Sequence, residues 1–368
     1  MQDNHNLSDD EKTLLKSVSF SRLILPVFIG LGVVFYLMSK QLDFKELDKV
    51  SWGGLTFLWL GFAVIMYIFR HFFYAWRLYS MADGSFSFWK CMELIVIWEF
   101  SSAVSPTNVG GAGVALVLLA QEKVSGARTV AIVLYSMVLD TVYTLISLPL
   151  LYFIVGPTLI RPGMKSLTDI DGYGFTFITV IIFMLVYGGV FFYGLFVNPR
   201  AIKRLLILLS RIPFLKKFRN DLRNTAVNVV TAAIELRGQS WKFHMRNMLC
   251  TMGAWTTRFL GLNFIILAIV PKTSLAAYDQ FLIFARGEAM YVITAFSPTP
   301  GGAGIAEYLF GGFYSDYIPE GIASLVSLIW RLITYYPYLI AGAIVIPIWI
   351  RGVIKSRKAQ QDKGDGRV

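Results

Sequence analysis

Charged residues are scarce in this chain of 368 residues, in which Asp, Glu, Lys and Arg make up only 15%. A soluble globular chain carries about 25%. Hydrophobic residues reach 56%, and long apolar runs recur from Leu23 to Ile350. The aromatic content and the lack of low-complexity segments exclude disordered and fibrous classes. The composition therefore predicts an all-α polytopic membrane protein.

Cysteine and histidine are also rare. The two cysteines, Cys91 and Cys250, lie in or beside apolar runs, which excludes a disulfide framework and a zinc spacing. The three histidines are scattered and argue against a His-based metal site. We therefore expect no metal, no cofactor and no catalytic cluster. No small-residue cleavage site follows the run that begins at Leu23, so we expect an anchor rather than a removed signal peptide.

Acidic residues number 23 against 34 Lys and Arg, and the resulting net charge of +11 is clustered along the chain. Membrane-flanking Lys and Arg stay in the cytoplasm, so the excess indicates topology. Nucleic-acid binding is not expected, because no recognised nucleic-acid-binding fold accompanies the charge. The distribution predicts a multi-pass protein of the cell (inner or plasma) membrane with both termini in the cytoplasm.

Six apolar runs approach or exceed the 20 or so residues that a spanning helix needs. They are Arg22–Ser39, Trp52–Phe69, Ala127–Val155, Gly174–Val197, Met248–Val270 and Gly321–Ile350. The stretch Arg70–Tyr79 predicts a separate interfacial helix with Trp and Tyr at the headgroup level. Two further runs, 88–122 and 278–314, are interrupted in the middle. We expect each to be a re-entrant helical hairpin, and the alternative is that each short arm crosses fully.

These elements divide the chain into a cytoplasmic segment 1–21, a first transmembrane repeat 22–155, an external loop 156–173, a second transmembrane repeat 174–350 and a cytoplasmic tail 351–368. The second repeat contains a basic amphipathic insert, 198–246. Its cluster Arg200–Arg223 suits anionic lipid headgroups as partners, and the alternative is a solvated loop that sets topology. The sequence leaves the oligomeric state open.

Both interrupted runs carry the same motif. Ala103–Ala115 reads AVSPTNVGGAGVA, and Ala295–Ala306 reads AFSPTPGGAGIA. Asp140 and Arg331 follow the two motifs at equal spacing, inside the next long span. By the charge distribution the first hairpin enters from the cytoplasm and the second from outside. The chain is therefore predicted to be an inverted repeat, which is the build of many secondary transporters.

The motif residues suit a break inside the bilayer. Proline stops the incoming helix, and glycine permits a turn and the close approach of a ligand or a helix. The outgoing half-helices are expected to begin near Ala112 and Ala303, with free N–H groups that suit a phosphate or carboxylate. The alternative is that the glycines only let the hairpins pack. The candidate binding residues of the two motifs are Ser105, Gly110, Gly111, Ala112, Gly113, Ser297, Thr299, Gly301, Gly302, Ala303 and Gly304.

Charged residues within or beside the apolar runs must pair or line water, because each costs about a few kcal/mol at mid-bilayer. The repeat-related Asp140 and Arg331 are predicted to form a central ion pair in which Asp140 orients Arg331, with a purely structural clamp as the alternative. Arg331, Arg286 and Arg258 are candidates to hold a headgroup phosphate bidentately. Candidates to recognise an amine or carry a coupling proton are Glu99, Glu288 and Glu307.

The paired motifs, the second extended as SPTPGGAGIAE, and Arg331 followed by Tyr335 resemble the lysylphosphatidylglycerol synthase transmembrane-region family, also called flippase-like or UPF0104. The resemblance covers roughly Arg22 to Ile350. It is similar to the part of bacterial multiple peptide resistance factors that is implied in flipping aminoacylated phosphatidylglycerol. There it is fused to a soluble synthase domain that uses aminoacyl-tRNA. This chain ends at Val368 and leaves no room for that domain, so we expect no lysyltransferase activity. Leu116 stands where the second motif has Glu307.

The prediction is a lipid flippase or transporter that binds an anionic or zwitterionic phospholipid headgroup between the two hairpins. Alternating access would rock one repeat against the other while the lipid tails stay in the bilayer. The alternatives are a membrane-embedded lipid-headgroup transferase and a non-transporting partner subunit.

Overall fold

The computed structural model describes residue 50 and residues 52–104, 108–122, 124–166, 173–212, 219–295, 305–319 and 322–365. All regular elements in these ranges are helical. The α-helices are α1 (Gly54–Ala82), α2 (Phe88–Val104), α3 (Asn108–Gln121), α4 (Gly126–Val155), α5 (Tyr173–Phe192), α6 (Pro199–Leu209), α7 (Arg219–Arg237), α8 (Trp241–Ile269), α9 (Ala277–Ala295), α10 (Ile305–Phe313), α11 (Ala323–Thr334) and α12 (Tyr336–Asp365). A 3₁₀ turn, Gly156–Leu159, extends α4, and a π-helical turn, Tyr193–Val197, extends α5.

Five segments of the described chain are long and apolar enough to cross a membrane. They are Gly54–Ala82, Gly126–Leu159, Gly174–Val197, Trp241–Ile269 and Ala323–Val353. These segments coincide with five of the six predicted crossings, and the first predicted crossing, Arg22–Ser39, lies outside the described residues. Large apolar side chains cover the surface, such as Phe153 and Phe175, as a lipid-facing bundle requires.

Helix α1 corrects the prediction of a separate interfacial helix. The stretch Arg70–Tyr79 continues the membrane-length helix, because no residue in it breaks a helix, and α1 ends only at the left-handed residues Asp83 and Gly84. Arg70 and Arg77 are buried rather than interfacial. They lie on the same inward stripe as Ala63 and Tyr67, at the three- and four-residue spacing of a helix face.

Two further boundaries differ from the prediction. Helix α8 begins at Trp241, inside the predicted insert 198–246, because the Ser240 hydroxyl accepts the backbone N–H of Phe243 and caps the helix. Helix α3 begins at Asn108 rather than near Ala112. The insert is nevertheless mostly helical, and it contains α6 and α7.

Helices α1 and α8 form an antiparallel pair. Trp59 stacks on Phe264 at 5.8 Å between ring centroids, and Arg246 Nε donates to Ser80 Oγ at 2.8 Å. We call the end where α1 ends and α8 begins the proximal end, and the opposite end the distal end. Helices α2 and α3 follow α1 from the proximal end, whereas α9 and α10 follow α8 from the distal end.

The apolar core is divided in the same way. One cluster combines α2, α3, α7 and α12 with the proximal half of α1. The other combines α9, α10 and α11 with the distal parts of α4 and α8. A small aromatic cluster of Tyr143, Trp255 and Phe259 lies between the two along α4 and α8. Charged side chains collect around this intermediate layer.

The last predicted span is broken at Tyr335. Pro337 has no N–H, so it cannot complete the helical hydrogen bond to the preceding turn. In the same turn, the carbonyl of Thr334 accepts a hydrogen bond from the hydroxyl of Tyr67. The Tyr335 hydroxyl donates to the carbonyl of Ala103 at 3.0 Å, which attaches the break between α11 and α12 to the end of α2.

Candidate functional site

Arg70 of α1 and Glu99 of α2 form a bidentate salt bridge. Arg70 Nη2 lies 3.0 and 2.9 Å from the two carboxylate oxygens, and Nη1 donates to the hydroxyls of Tyr67 and Tyr338. The rings of Tyr67, Tyr74 and Tyr338 lie 4.7 to 5.6 Å from the guanidinium carbon. The buried charge of Arg70 is therefore compensated by one carboxylate and three aromatic faces.

Arg77 and Asp140 form a second pair, between α1 and α4. Arg77 Nη1 lies 2.6 Å from Oδ1 and Nη2 lies 3.2 Å from Oδ2, while Nη1 also donates to Thr251 Oγ1 at 3.0 Å. Trp255 Nε1 donates to the same carboxylate at 3.0 Å. The prediction that Asp140 pairs with Arg331 is therefore wrong. Asp140 faces α1 and α8, and the nearer guanidinium is that of Arg77.

One tyrosine joins the two ion pairs. The ring centroid of Tyr74 lies 4.7 Å from the guanidinium carbon of Arg70 and 4.8 Å from that of Arg77. Sequence reasoning missed this Arg-Tyr-Arg stack. The signal was present, because these three residues continue the three- and four-residue spacing of the apolar stripe that contains Ala63 and Tyr67.

Arg258 of α8, predicted as a headgroup ligand, lies half-buried beside α9. Its guanidinium carbon is 4.3 Å from the ring centroid of Tyr291 and 5.6 Å from that of Trp255. No carboxylate among the described side chains forms a salt bridge with it. Trp255 also donates to Asp140, so Arg258 lies next to the Arg77–Asp140 pair across one indole ring.

Arg286 is placed in a different environment from Arg258. Its Nη1 lies 2.6 and 2.8 Å from the carboxylate oxygens of Asp316, and its Nε donates to the carbonyl of Thr158 at 2.9 Å. Beside this pair, Tyr317 donates to Asp279 at 2.9 Å. Burial, and then the hydrogen bond to Asp279, raise the pKa of Tyr317 above its usual range. Arg286 thus ties the loop after α10 to the distal end of α4.

Glu288 lies two residues further along α9 and faces α4. The hydroxyl of Tyr143 donates to its carboxylate at 3.4 Å, and the hydroxyl of Ser147 donates to the other oxygen. Tyr143 stacks on Trp255 at 6.0 Å and 9°, and Trp255 in turn donates to Asp140. Glu288 is therefore part of the same polar and aromatic layer.

Arg331 is fully buried, and its guanidinium carbon lies 5.7 Å from the ring of Tyr335. Through the hydrogen bond of Tyr335 to Ala103, this side chain is linked to the end of α2. The side chain of Glu307, on α10, lies outside the described residues. So do the remaining motif residues at the two helix breaks, which are Ser105, Ser297, Thr299, Gly301, Gly302, Ala303 and Gly304.

The glycines of the first motif lie within α3 rather than before it. The range Gly110–Gly113 forms part of the first turns of the helix. A Cβ added to Gly111 would lie 1.8 Å from Ser102 Oγ, whereas one added to Gly113 would meet no atom within 4 Å. Gly111 therefore allows α2 and α3 to approach closely, which is the packing role that the sequence left open as an alternative.

Membrane-length helices with paired charges in their interior define a polytopic α-helical membrane protein with an internal polar site. The model of the lysylphosphatidylglycerol synthase TM region family matches residues 23–342, and the chain belongs to this family. This confirms the resemblance seen in the motifs. The chain is similar to a UPF0104 membrane protein of Archaeoglobus fulgidus, with 22% identity over 330 residues that cover 86% of this chain and 92% of the relative. No solved structure matches the chain significantly.

Proposed function

We propose that the protein is a lipid transporter whose interior site binds the phosphate of a phospholipid headgroup. Arg258 carries this proposal. Its contacts are aromatic, no described carboxylate neutralises it, and the neighbouring Arg70 and Arg77 already hold carboxylates. An intramembrane cation needs an anionic partner, and a headgroup phosphate would supply one in the bidentate geometry that guanidinium favours.

The arrangement of the shorter helices supports re-entrant hairpins that enter from opposite sides. Helices α2 and α3, with 17 and 14 residues, are about 25 and 21 Å long at 1.5 Å per residue. In the second pair, α9 with 19 residues is about 28 Å long, and α10 with 9 residues is about 14 Å long. These lengths fall short of the hydrocarbon core of about 30 Å. The two helix pairs begin at opposite ends of the antiparallel α1–α8 pair, as an inverted repeat requires.

The proposed orientation puts the proximal end in the cytoplasm of a cell with a plasma or inner membrane. Arg128 and the basic helix α6 belong to that end or follow it, and positively charged segments are retained on the cytoplasmic side. Exposed Arg200 and Arg204 on α6 would contact anionic headgroups at the membrane surface. We propose no covalent step, so the chain would act as a carrier rather than as an enzyme.

In the proposed cycle a headgroup enters the interior region while its acyl chains remain in the bilayer. Arg258 binds the phosphate, with Tyr291 and Trp255 as the walls that hold the guanidinium in place. The Arg70–Glu99 pair keeps α1 attached to α2 while the two repeats rock against each other. Glu288, which is held only by hydroxyl donors among the described residues, would recognise a headgroup amine or exchange a coupling proton.

The test is transport by the purified full chain in liposomes that carry a fluorescent phospholipid, with a membrane-impermeant quencher outside. Arg258→Ala is expected to slow transport about tenfold or more, because a charge-assisted contact contributes about 1.5–3 kcal/mol. Arg258→Lys should be intermediate, since Lys offers charge without a bidentate fork. Lys272→Ala, at an exposed distal position, is the control. Undiminished transport by a well-folded Arg258→Ala variant would contradict the proposal.

A further inference from the structure

A groove on the outer surface of the α1–α8 pair takes no part in the interior site. Its volume is about 580 Å³. The residues that line it include Phe72, Trp76, Lys242, Met245, Arg246 and Leu249. Trp76 and Leu249 are 43% and 55% exposed, so the groove opens sideways toward the surface that faces lipid. Its lining is mostly apolar and aromatic, which suits an acyl chain better than a polar solute.

The proximal end of this groove is positively charged. Lys242 and Arg246 lie four residues apart on α8, hence on one face, and both are exposed. The hydrogen bond from Arg246 Nε to Ser80 Oγ at 2.8 Å holds that guanidinium against α1. The lining residues include no acid. Trp76 lies at the same end, and tryptophan is enriched at the headgroup level of bilayers.

The groove and the interior site share a wall. Cys250 lines the groove, and its neighbour Thr251 accepts a hydrogen bond from Arg77 at 3.0 Å on the inner side of α8. A ligand in the groove would therefore lie one helix thickness from the Arg77–Asp140 pair.

We infer that the groove docks a glycerophospholipid with a net negative headgroup. Lys242 and Arg246 contact the phosphate, and one acyl chain lies along Phe72, Met245 and Leu249. The positive charge of the opening favours this occupant over a zwitterionic lipid, and the apolar floor accepts its acyl chain. Use of the groove as the lateral entrance to the interior site rests on the proposed transport function, whereas docking itself does not.

The experiment uses the full chain in nanodiscs that contain phosphatidylserine with a photoreactive diazirine in its acyl chain. Phosphatidylcholine with the same chain is the comparison lipid. Cross-linked peptides identified by mass spectrometry are expected to contain Met245 and Leu249, with more labelling from phosphatidylserine. Removing each cation, as Lys242→Gln or Arg246→Gln, should weaken docking about fivefold, because one basic residue near a membrane surface contributes about that factor. Lys272→Gln should leave labelling unchanged.

A second pair of variants tests the floor of the groove without removing charge. Leu249→Trp fills the groove and should abolish labelling, whereas Met252→Trp, an exposed position on the same helix outside the lining, should not. Equal labelling by both lipids, or labelling that survives Leu249→Trp, overturns the inference. If Leu249→Trp loses labelling but transports normally, docking in the groove stands and its use as the entrance to the interior site is rejected. Retained labelling with no effect of Arg258→Ala on transport rejects the proposed function and leaves the groove in place.

Discussion

Replacing Glu99 with Gln tests whether the Arg70–Glu99 pair holds α1 against α2. The substitution keeps the shape of the side chain and removes the charge that compensates Arg70. The Arg70 side chain is 3% exposed and that of Glu99 is 24% exposed, so water can reach only one partner. Arg70 would keep its contacts with the hydroxyls of Tyr67 and Tyr338.

The expected loss follows from these exposures. Breaking a buried ion pair by removing one partner costs about 3–5 kcal/mol, and the retained hydroxyl contacts and partial access of water offset some of this. We expect Glu99→Gln to lower the free energy of unfolding by about 2–4 kcal/mol. Asp140→Asn should cost less, about 1–3 kcal/mol. Asp140 is 30% exposed, and the amide oxygen of Asn can still accept from Trp255.

The assay is equilibrium unfolding in bicelles, followed by tryptophan fluorescence. A double-mutant cycle with Arg70→Met and Glu99→Leu measures the interaction free energy between the two side chains, apart from their contacts with other residues. Removing both charges should recover most of the loss, because an apolar pair carries no uncompensated charge. The reasoning fails if Glu99→Gln changes stability by less than about 0.5 kcal/mol, or if the double variant is no more stable than Arg70→Met with Glu99 retained.

Two further predictions concern the packing of the helix pairs. Gly111→Ala should cost about 1–3 kcal/mol in the same unfolding assay, because the new Cβ meets Ser102, whereas Gly113→Ala should be neutral or stabilising by up to about 1 kcal/mol. Equal effects of the two would show that α2 and α3 are not in close contact. Asp316→Asn should lower the melting temperature and leave the transport rate unchanged, because Asp316 holds Arg286 in a structural pair. A variant of normal stability that loses transport would return Arg286 to the headgroup site.

The sequence alone determined where the described spans lie and which family the chain belongs to. A bilayer offers the backbone no hydrogen bonds, so each crossing must be a helix of about 20 apolar residues, and such runs can be read directly. The two interrupted runs, 88–122 and 278–314, likewise correspond to the helix pairs α2–α3 and α9–α10. Arg258 was predicted to be a site residue from its position inside a span; the structure places it against Tyr291, and its binding role stays a prediction.

Which charges meet could not be predicted from the sequence, because it depends on how the helices pack. Arg77 and Asp140 are 63 residues apart, and their contact depends on how α1 and α4 are rotated about their axes. The stretch that contains Arg70 has the same composition as an interfacial belt, so composition could not distinguish a buried stack from a surface helix. Packing against α8 turns Arg70 and Arg77 inward, where the carboxylates of two other helices neutralise them. An ion pair forms only when two charged groups lie within a few ångströms of each other. For residues far apart in the sequence, helix packing sets the distance between these groups.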